Sequence, residues 1–224
     1  MYSDILLPDS GRSESNRDIL FARIAEDIRV KGYSINPGAL PASLTDALIA
    51  HLVQMDDEQF NLAGIGRERQ HMQNRFVRKD EICWITGESA AGRDWLAWTA
   101  ELQTFLNRHL LLGLFSFESH FARYAPGAYY KRHYDAFSGE TNRILSVVAY
   151  LNTEWTAADG GELILYSDAT DRDGLRVSPI AGTVVIFLSE DFPHEVLPAR
   201  RDRFSVAGWY SINRTTAERP DPPG

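Results

Sequence analysis

A mainly β chain with helices gathered in its first half, of β-sandwich or barrel-like jelly-roll type, is what the sequence predicts. Two observations carry this. Short apolar stretches recur from residue 117 onward, at 117–124, 128–135, 143–151, 161–166, 175–179, 182–188, 194–198 and 203–212. Turn signals separate them, among them Pro126-Gly127, Asp159-Gly160-Gly161, Asp173-Gly174 and Ala181-Gly182. Before residue 117 the apolar period is helical instead. Residues 16–31 carry Ile19, Leu20, Ile24, Ile28 and Val30 among charges. Residues 41–54 place Pro41 in a first turn and Leu44, Leu48 and Leu52 on one face. Residues 93–112 are the clearest, with Trp95, Leu102, Phe105, Leu106, His109 and Leu110 as an apolar stripe.

Between the last two helices, residues 61–92 are rich in Gly, Arg and Gln. A connection of that length is a functional lid, a hairpin of its own or a solvated charged loop. The tail 213–224 holds three prolines and reads as flexible, as does the arm 1–15. The remainder, 16–212, reads as one domain, with helical support over 16–116 and a β core over 117–212.

Composition excludes several classes of function. The 224 residues include 44% hydrophobic side chains, ordinary for a globular chain. A formal charge of −8 makes nonspecific nucleic-acid binding a poor expectation. The longest apolar runs, such as 144–151, fall far short of the roughly 18 residues a membrane span needs. One cysteine, Cys83, allows neither an internal disulfide nor a cysteine-based zinc site, and a reducing cytoplasm is the expected compartment.

The chemistry-bearing residues lie late in the chain. In His133-Tyr134-Asp135, alternation along a strand turns the imidazole and the carboxylate into one space. His194 opens a later strand, and jelly-roll strands far apart in sequence lie side by side. Two histidines and a carboxylate with open positions are the ligand set of non-heme Fe(II) oxygenases, although zinc uses the same set with water. Arg203 starts the last strand, where its guanidinium fork can pair with a buried carboxylate. Arg203, Ser205, Ala207 and Trp209 share a face, and the two small residues leave room for a slender ligand. His71 and His120 have no partner at ligand spacing. His51 and His109 read as core or boundary residues, Trp95 and Trp98 as helix packing, and Cys83 as a small buried hydrophobe.

The set His133-x-Asp135, His194 and Arg203 resembles the Fe(II)/2-oxoglutarate-dependent oxygenases. It is most similar to the prolyl 4-hydroxylases, and within them to those acting on hypoxia-inducible factor. The likeness runs over about residues 75–212. It includes Arg78-x-Asp80-x-x-x-Trp84-Ile85, Tyr124-x-Pro126-Gly127, Tyr130-x-Arg132-His133-x-Asp135, Tyr150-Leu151-Asn152-x-x-Trp155, Gly160-Gly161-x-Leu163, Pro193-His194-Glu195-Val196-x-Pro198 and Arg203 with Trp209-Tyr210. The acidic, cysteine-poor chain suits a bacterial cytoplasmic member.

That resemblance implies an α+β, mainly β fold, a double-stranded β-helix with N-terminal helices packed on one sheet. It makes His133, Asp135 and His194 the iron ligands and Arg203, Tyr150 and Tyr124 the 2-oxoglutarate site. Trp209, Tyr130 and Arg143 would surround the target proline, and Arg78, Asp80 and Trp84 would belong to a finger loop, 61–92, that closes over the peptide. Strict alternation disagrees at two points. It puts Tyr129, not Tyr130, on the face of His133, and it separates Arg143 from Tyr150; a turn or bulge after Gly127 would repair the first. The implied activity is 4-hydroxylation of a prolyl residue in a protein or peptide with Fe(II), 2-oxoglutarate, O2 and ascorbate as reductant. The competing readings are the same chemistry on free proline, another small molecule or an alkylated base, and a non-catalytic 2-oxoglutarate or metal sensor.

Overall fold

Residues 15–62, 78–136 and 142–213 are described by a computed structural model. The arm expected over 1–15 and the tail over 213–224 lie outside them except for Ser15 and Asn213, as do residues 63–77 of the finger loop.

Helix α1 (Asn16–Lys31) starts on a capping box, in which the Ser15 hydroxyl accepts from the Asp18 N–H and the Asp18 carboxylate accepts from the Ser15 N–H. It buries Phe21, Ile24, Ala25 and Ile28 at helical spacing and stops at Gly32, whose φ of 78° suits a left-handed cap. Helix α2 (Ala42–Gln54) buries Leu44 and Leu48. Pro41 stands just ahead of it as the N-cap residue, one position earlier than a first-turn placement. Helix α3 (Ala90–Leu110) begins three residues before the sequence period suggests, because the Ser89 hydroxyl accepts from the Gly92 N–H and opens the helix there. Its stripe buries Trp95, Trp98, Leu102 and Leu106, whereas His109 is exposed and stacks on Phe105. No helix among the described residues is long and apolar enough to cross a membrane.

Among the described residues, eleven strands form two antiparallel sheets. They are β1 (Tyr33–Asn36), β2 (Asn61–Leu62), β3 (Glu81–Trp84), β4 (Leu114–Tyr124), β5 (Tyr130–His133), β6 (Arg143–Tyr150), β7 (Leu163–Leu165), β8 (Leu175–Val177), β9 (Val184–Leu188), β10 (His194–Val196) and β11 (Arg203–Ile212). The large sheet runs β1-β9-β6-β11-β4-β3-β2 and the small one β5-β10-β7-β8. Alternation sorts the large sheet's side chains into two layers. Leu145, Val147, Ala149, Val184, Ile186, Val206 and Tyr210 meet the helices. Ala122, Tyr124, Tyr150, Val185 and Phe187 meet Leu163, Leu165, Val177 and Val196 of the small sheet. Each fully buried Leu, Val or Phe of these layers contributes about 1.5–3 kcal/mol. The expected fold, helices packed on one face of a jelly roll, is what these layers make.

Each of the eight strands expected from residue 117 onward has a counterpart, β4 to β11. The differences lie earlier. The stretch 16–116 is not helical support alone, since it contains β1 to β3 and the start of β4 at Leu114. Those first three strands span four residues or fewer, too short for a period-2 signal. The ends of the 61–92 stretch are ordered, with Asn61 opposite Ile82 and Leu62 opposite Glu81, and residues 90–92 belong to α3.

Candidate metal and cosubstrate site

The small sheet brings the two histidines together. β10 pairs with β5 so that His194 stands directly opposite His133, with ring centroids 4.2 Å apart. Asp135 is not on that strand, contrary to the alternation argument: β5 ends at His133 and the chain bends. What turns the Asp135 carboxylate inward is Ser146 on β6, whose hydroxyl donates to Oδ2 at 2.7 Å and is itself bonded to Ser189. The carboxylate lies 3.5 Å from His133 Nε2 and 3.6 Å from His194 Nε2.

Backbone carbonyls set both rings. His133 Nδ1 lies 2.8 Å from the Lys131 carbonyl and His194 Nδ1 3.2 Å from the Phe192 carbonyl. A neutral imidazole whose Nδ1–H donates there turns the Nε2 lone pair to the centre. Burial opposes charge on Asp135, yet the His194 and His133 imidazoles and the Ser146 hydroxyl hold its carboxyl far below the usual range. Burial lowers His194 to about 4 despite the pull of Asp135, so its imidazole is neutral at ordinary pH.

Behind the triad lies a buried cation. Arg203 is 1% exposed, and its Nε donates to the Gly161 carbonyl at 2.8 Å. Its guanidinium carbon stands 5.0 Å from the Tyr124 ring and 5.2 Å from the Tyr150 ring. Among the described residues no carboxylate pairs with it, and the buried Tyr150 hydroxyl has no hydrogen-bond partner. Burial pushes the Tyr150 phenol up to about 12 against the pull of Arg203, so it stays a donor. Gly161 permits the close approach. Its φ is +73°, and a Cβ there would stand 2.9 Å from Ala199 Cβ and 3.2 Å from Arg203 Cδ.

The cavity over these groups, about 420 Å³, is rimmed by the remaining candidates. Two bulges settle the alternation conflicts. Between His194/Val196 on β10 and His133/Tyr130 on β5 the register slips by one residue, which turns Tyr130 to the His133 side. The rings of Tyr130 and His133 stack at 3.5 Å, so the irregularity sits inside β5, not at the turn after Gly127. A second slip, with Tyr210 opposite Leu145 but Ser211 opposite Arg143, turns Arg143 inward. Its guanidinium then lies 3.7 Å from the Trp209 ring centroid and pairs with Glu118 at 2.7 Å. Arg78 forms a two-bond pair with Asp80, at 2.6 and 2.5 Å, and covers the Tyr130 ring. Trp84, half exposed, meets His120 edge-on.

His120 is the residue that sequence spacing leaves out. It lines this cavity, whereas nothing in the sequence separates it from an ordinary strand histidine. Ser146 is likewise legible only once β6 is in place, and Gly161, which the sequence marks only as a turn, shows its contact with Arg203 only in the fold.

Residues 119–211 match the 2OG-Fe(II) oxygenase superfamily. The solved structure of a Pseudomonas putida prolyl-4-hydroxylase is 39% identical, covering 86% of this chain and 98% of that one, with a TM-score of 0.75. The chain belongs to the 2OG-Fe(II) oxygenase superfamily. A Trichoplax adhaerens prolyl hydroxylase, solved with a hypoxia-inducible-factor peptide fragment, is 25% identical over 89% of this chain and 94% of that one, with a TM-score of 0.75. A Caenorhabditis elegans hypoxia-inducible factor prolyl hydroxylase is 36% identical over 86 residues, which span 38% of this chain but only 12% of that protein.

The site fits the two groups in the family's name. The His133, Asp135 and His194 ligand atoms all lie within 4.8 Å of one another, a donor set of two imidazoles and one carboxylate suited to Fe(II). The carboxylate-free Arg203 and the unpartnered Tyr150 hydroxyl are what a bound dicarboxylate would satisfy.

Proposed function

We propose that the protein hydroxylates a prolyl residue of a protein or peptide at the 4-position, using Fe(II), 2-oxoglutarate and O2. The observation that carries this is the buried guanidinium of Arg203, unpaired by any described carboxylate, at the floor of the cavity that holds the triad. A fold that bound no anion there would gain nothing from an unmatched buried cation, whose isolation costs several kcal/mol.

His133, Asp135 and His194 would hold the iron, leaving its other positions for cosubstrate and gas. Arg203 would grip the distal carboxylate of 2-oxoglutarate through its fork, of which Nη1 makes a long 3.4 Å bond to the Ser205 hydroxyl, with the Tyr150 hydroxyl donating to the same group and the Tyr124 ring closing the side. Bound there, iron with 2-oxoglutarate and O2 would supply the oxidation: the cosubstrate would become succinate and CO2, with one oxygen atom of O2 entering succinate and the other the substrate. The chain's own task is position and dryness. Leu163, Val148 and Val196 line the pocket with apolar surface that excludes water, and Trp209, Tyr130 and Arg143 would flank the target ring.

Charge favours a peptide over free proline. Arg78 is neutralised by Asp80 and Arg143 by Glu118, so Arg203 is the cavity's one arginine without a described carboxylate partner. A free amino acid would bring a second carboxylate with no cation left for it. Ascorbate as the reductant is part of this proposal and is tested by its effect on sustained turnover.

The test is to incubate the iron-loaded enzyme with 2-oxoglutarate and a cell lysate and to search peptides for one added oxygen on proline. Oxidised prolyl peptides support the reading. Succinate without any oxidised proline contradicts it.

A further inference from the structure

Among the titratable side chains of the cavity wall, the chemistry above leaves His120 unused. His120 on β4 is 3% exposed, and its Nδ1 has no hydrogen-bond partner among the described residues. It stands in register between Trp84 on β3 and Ala207 on β11. The Trp84 ring meets it at 5.1 Å and the Trp209 ring at 5.4 Å, and the Trp209 indole N–H is also unpartnered. A buried polar group left alone costs about 1–3 kcal/mol, and an apolar residue would fill this wall without that cost. Ala207 lines the same cavity.

We propose that His120 is a specificity-determining residue, whose imidazole hydrogen-bonds a main-chain carbonyl of the prolyl peptide and so selects peptidyl proline over free proline. The inference rests on the prolyl reading above. A prolyl residue has no N–H of its own, so the polar groups it brings into the pocket are carbonyl oxygens, its own and that of the residue before it. A neutral imidazole has one N–H to give. Burial keeps the ring neutral, lowering it to about 4; Arg78 and Arg143 push the same way, and Asp80 and Asp135 oppose them. Free proline would set a carboxylate against that ring, and a neutral imidazole does not replace the water such a charge loses.

The experiment compares wild type, His120→Leu and His120→Gln. The probes are an equimolar library of short peptides with a central proline, and free L-proline. Peptide KM and kcat, 2-oxoglutarate KM, Tm and equilibrium peptide binding to the anaerobic iron–2-oxoglutarate enzyme are measured. In the leucine variant, peptide Kd and KM rise about tenfold, 2-oxoglutarate KM moves far less, and preference for peptide over proline falls by about the same tenfold. Glutamine, which keeps an N–H donor, restores most of the binding. The proposal is overturned if the leucine variant binds peptide as tightly as wild type. It is equally overturned if binding falls only in step with Tm and 2-oxoglutarate affinity, the mark of a packing role. A wild-type enzyme that neither binds nor oxidises any prolyl peptide sinks the prolyl reading itself, an outcome distinct from either variant result.

Discussion

The floor of the cavity and its rim are held by different kinds of contact. On the floor, main-chain groups do most of the fixing: His133 and His194 are in register on adjacent strands with each Nδ1 against a carbonyl, and Arg203 is tied to the Gly161 carbonyl, Asp135 alone being held by a side chain, the Ser146 hydroxyl. On the rim, side chains hold side chains, through Arg78–Asp80, Arg143–Glu118 and the Trp84, His120 and Trp209 rings. A floor built on sheet register has little freedom to drift, which suits groups that must meet one metal and one small cosubstrate. A rim built from paired charges and rings can be retuned without disturbing the floor. In the proposed function, chemistry therefore resides in one and selection in the other.

The sharpest way to break this contrast is on the floor. Replacing His133, Asp135 or His194 with alanine is expected to reduce succinate formation to background while circular dichroism stays native. Arg203→Ala comes next. Losing one partner of a buried charge pair costs about 2–5 kcal/mol, so 2-oxoglutarate KM should rise from roughly 30-fold to several thousandfold, with iron binding retained. Gly161→Ala strains a left-handed residue and crowds Arg203, which should lower stability by about 2–4 kcal/mol and weaken 2-oxoglutarate binding. Urea unfolding and cosubstrate titration check both effects.

Two smaller effects belong to the rim. His120 is neutral in the folded protein down to about pH 4, whereas the unfolded chain takes up a proton near 6.5. The unfolded state then binds more protons between those values, so stability falls as pH drops. The share due to His120 is about 2 kcal/mol at pH 5 relative to pH 7. His120→Leu should lose that part of the slope, read by urea unfolding at the two pH values. Asp80→Asn, which leaves Arg78 without its counter-charge, should raise peptide KM about tenfold, roughly 1.4 kcal/mol, with a smaller change in 2-oxoglutarate KM.

The floor was also the more legible half in the sequence. His133 ends and His194 begins a short strand, and Arg203 opens the long last one; their apolar runs and turn signals are plain, so their convergence follows from jelly-roll pairing. Asp135 reached the right place for a different reason, because a bend and the Ser146 hydroxyl do what alternation was expected to do. The rim was harder. Tyr130 and Arg143 face inward only because single-residue slips in β5 and β6 reverse their parity, and period-2 reasoning has no signal for such slips. His120 was passed over because its partners, Trp84 and Trp209, come from strands that flank β4 only in the folded sheet. β1 to β3 escaped notice because so few residues show no period.

The central claim is that this floor directs one oxygen atom from O2 into a prolyl residue as 2-oxoglutarate is consumed. Mass spectrometry of a turnover under heavy-isotope dioxygen, with the iron-loaded enzyme, 2-oxoglutarate and the prolyl peptides, tests it most directly. The account predicts one heavy oxygen in succinate for each one in a prolyl residue, and neither product from Asp135→Ala. Unlabelled hydroxyproline, or labelled product from the Asp135→Ala enzyme, would contradict it.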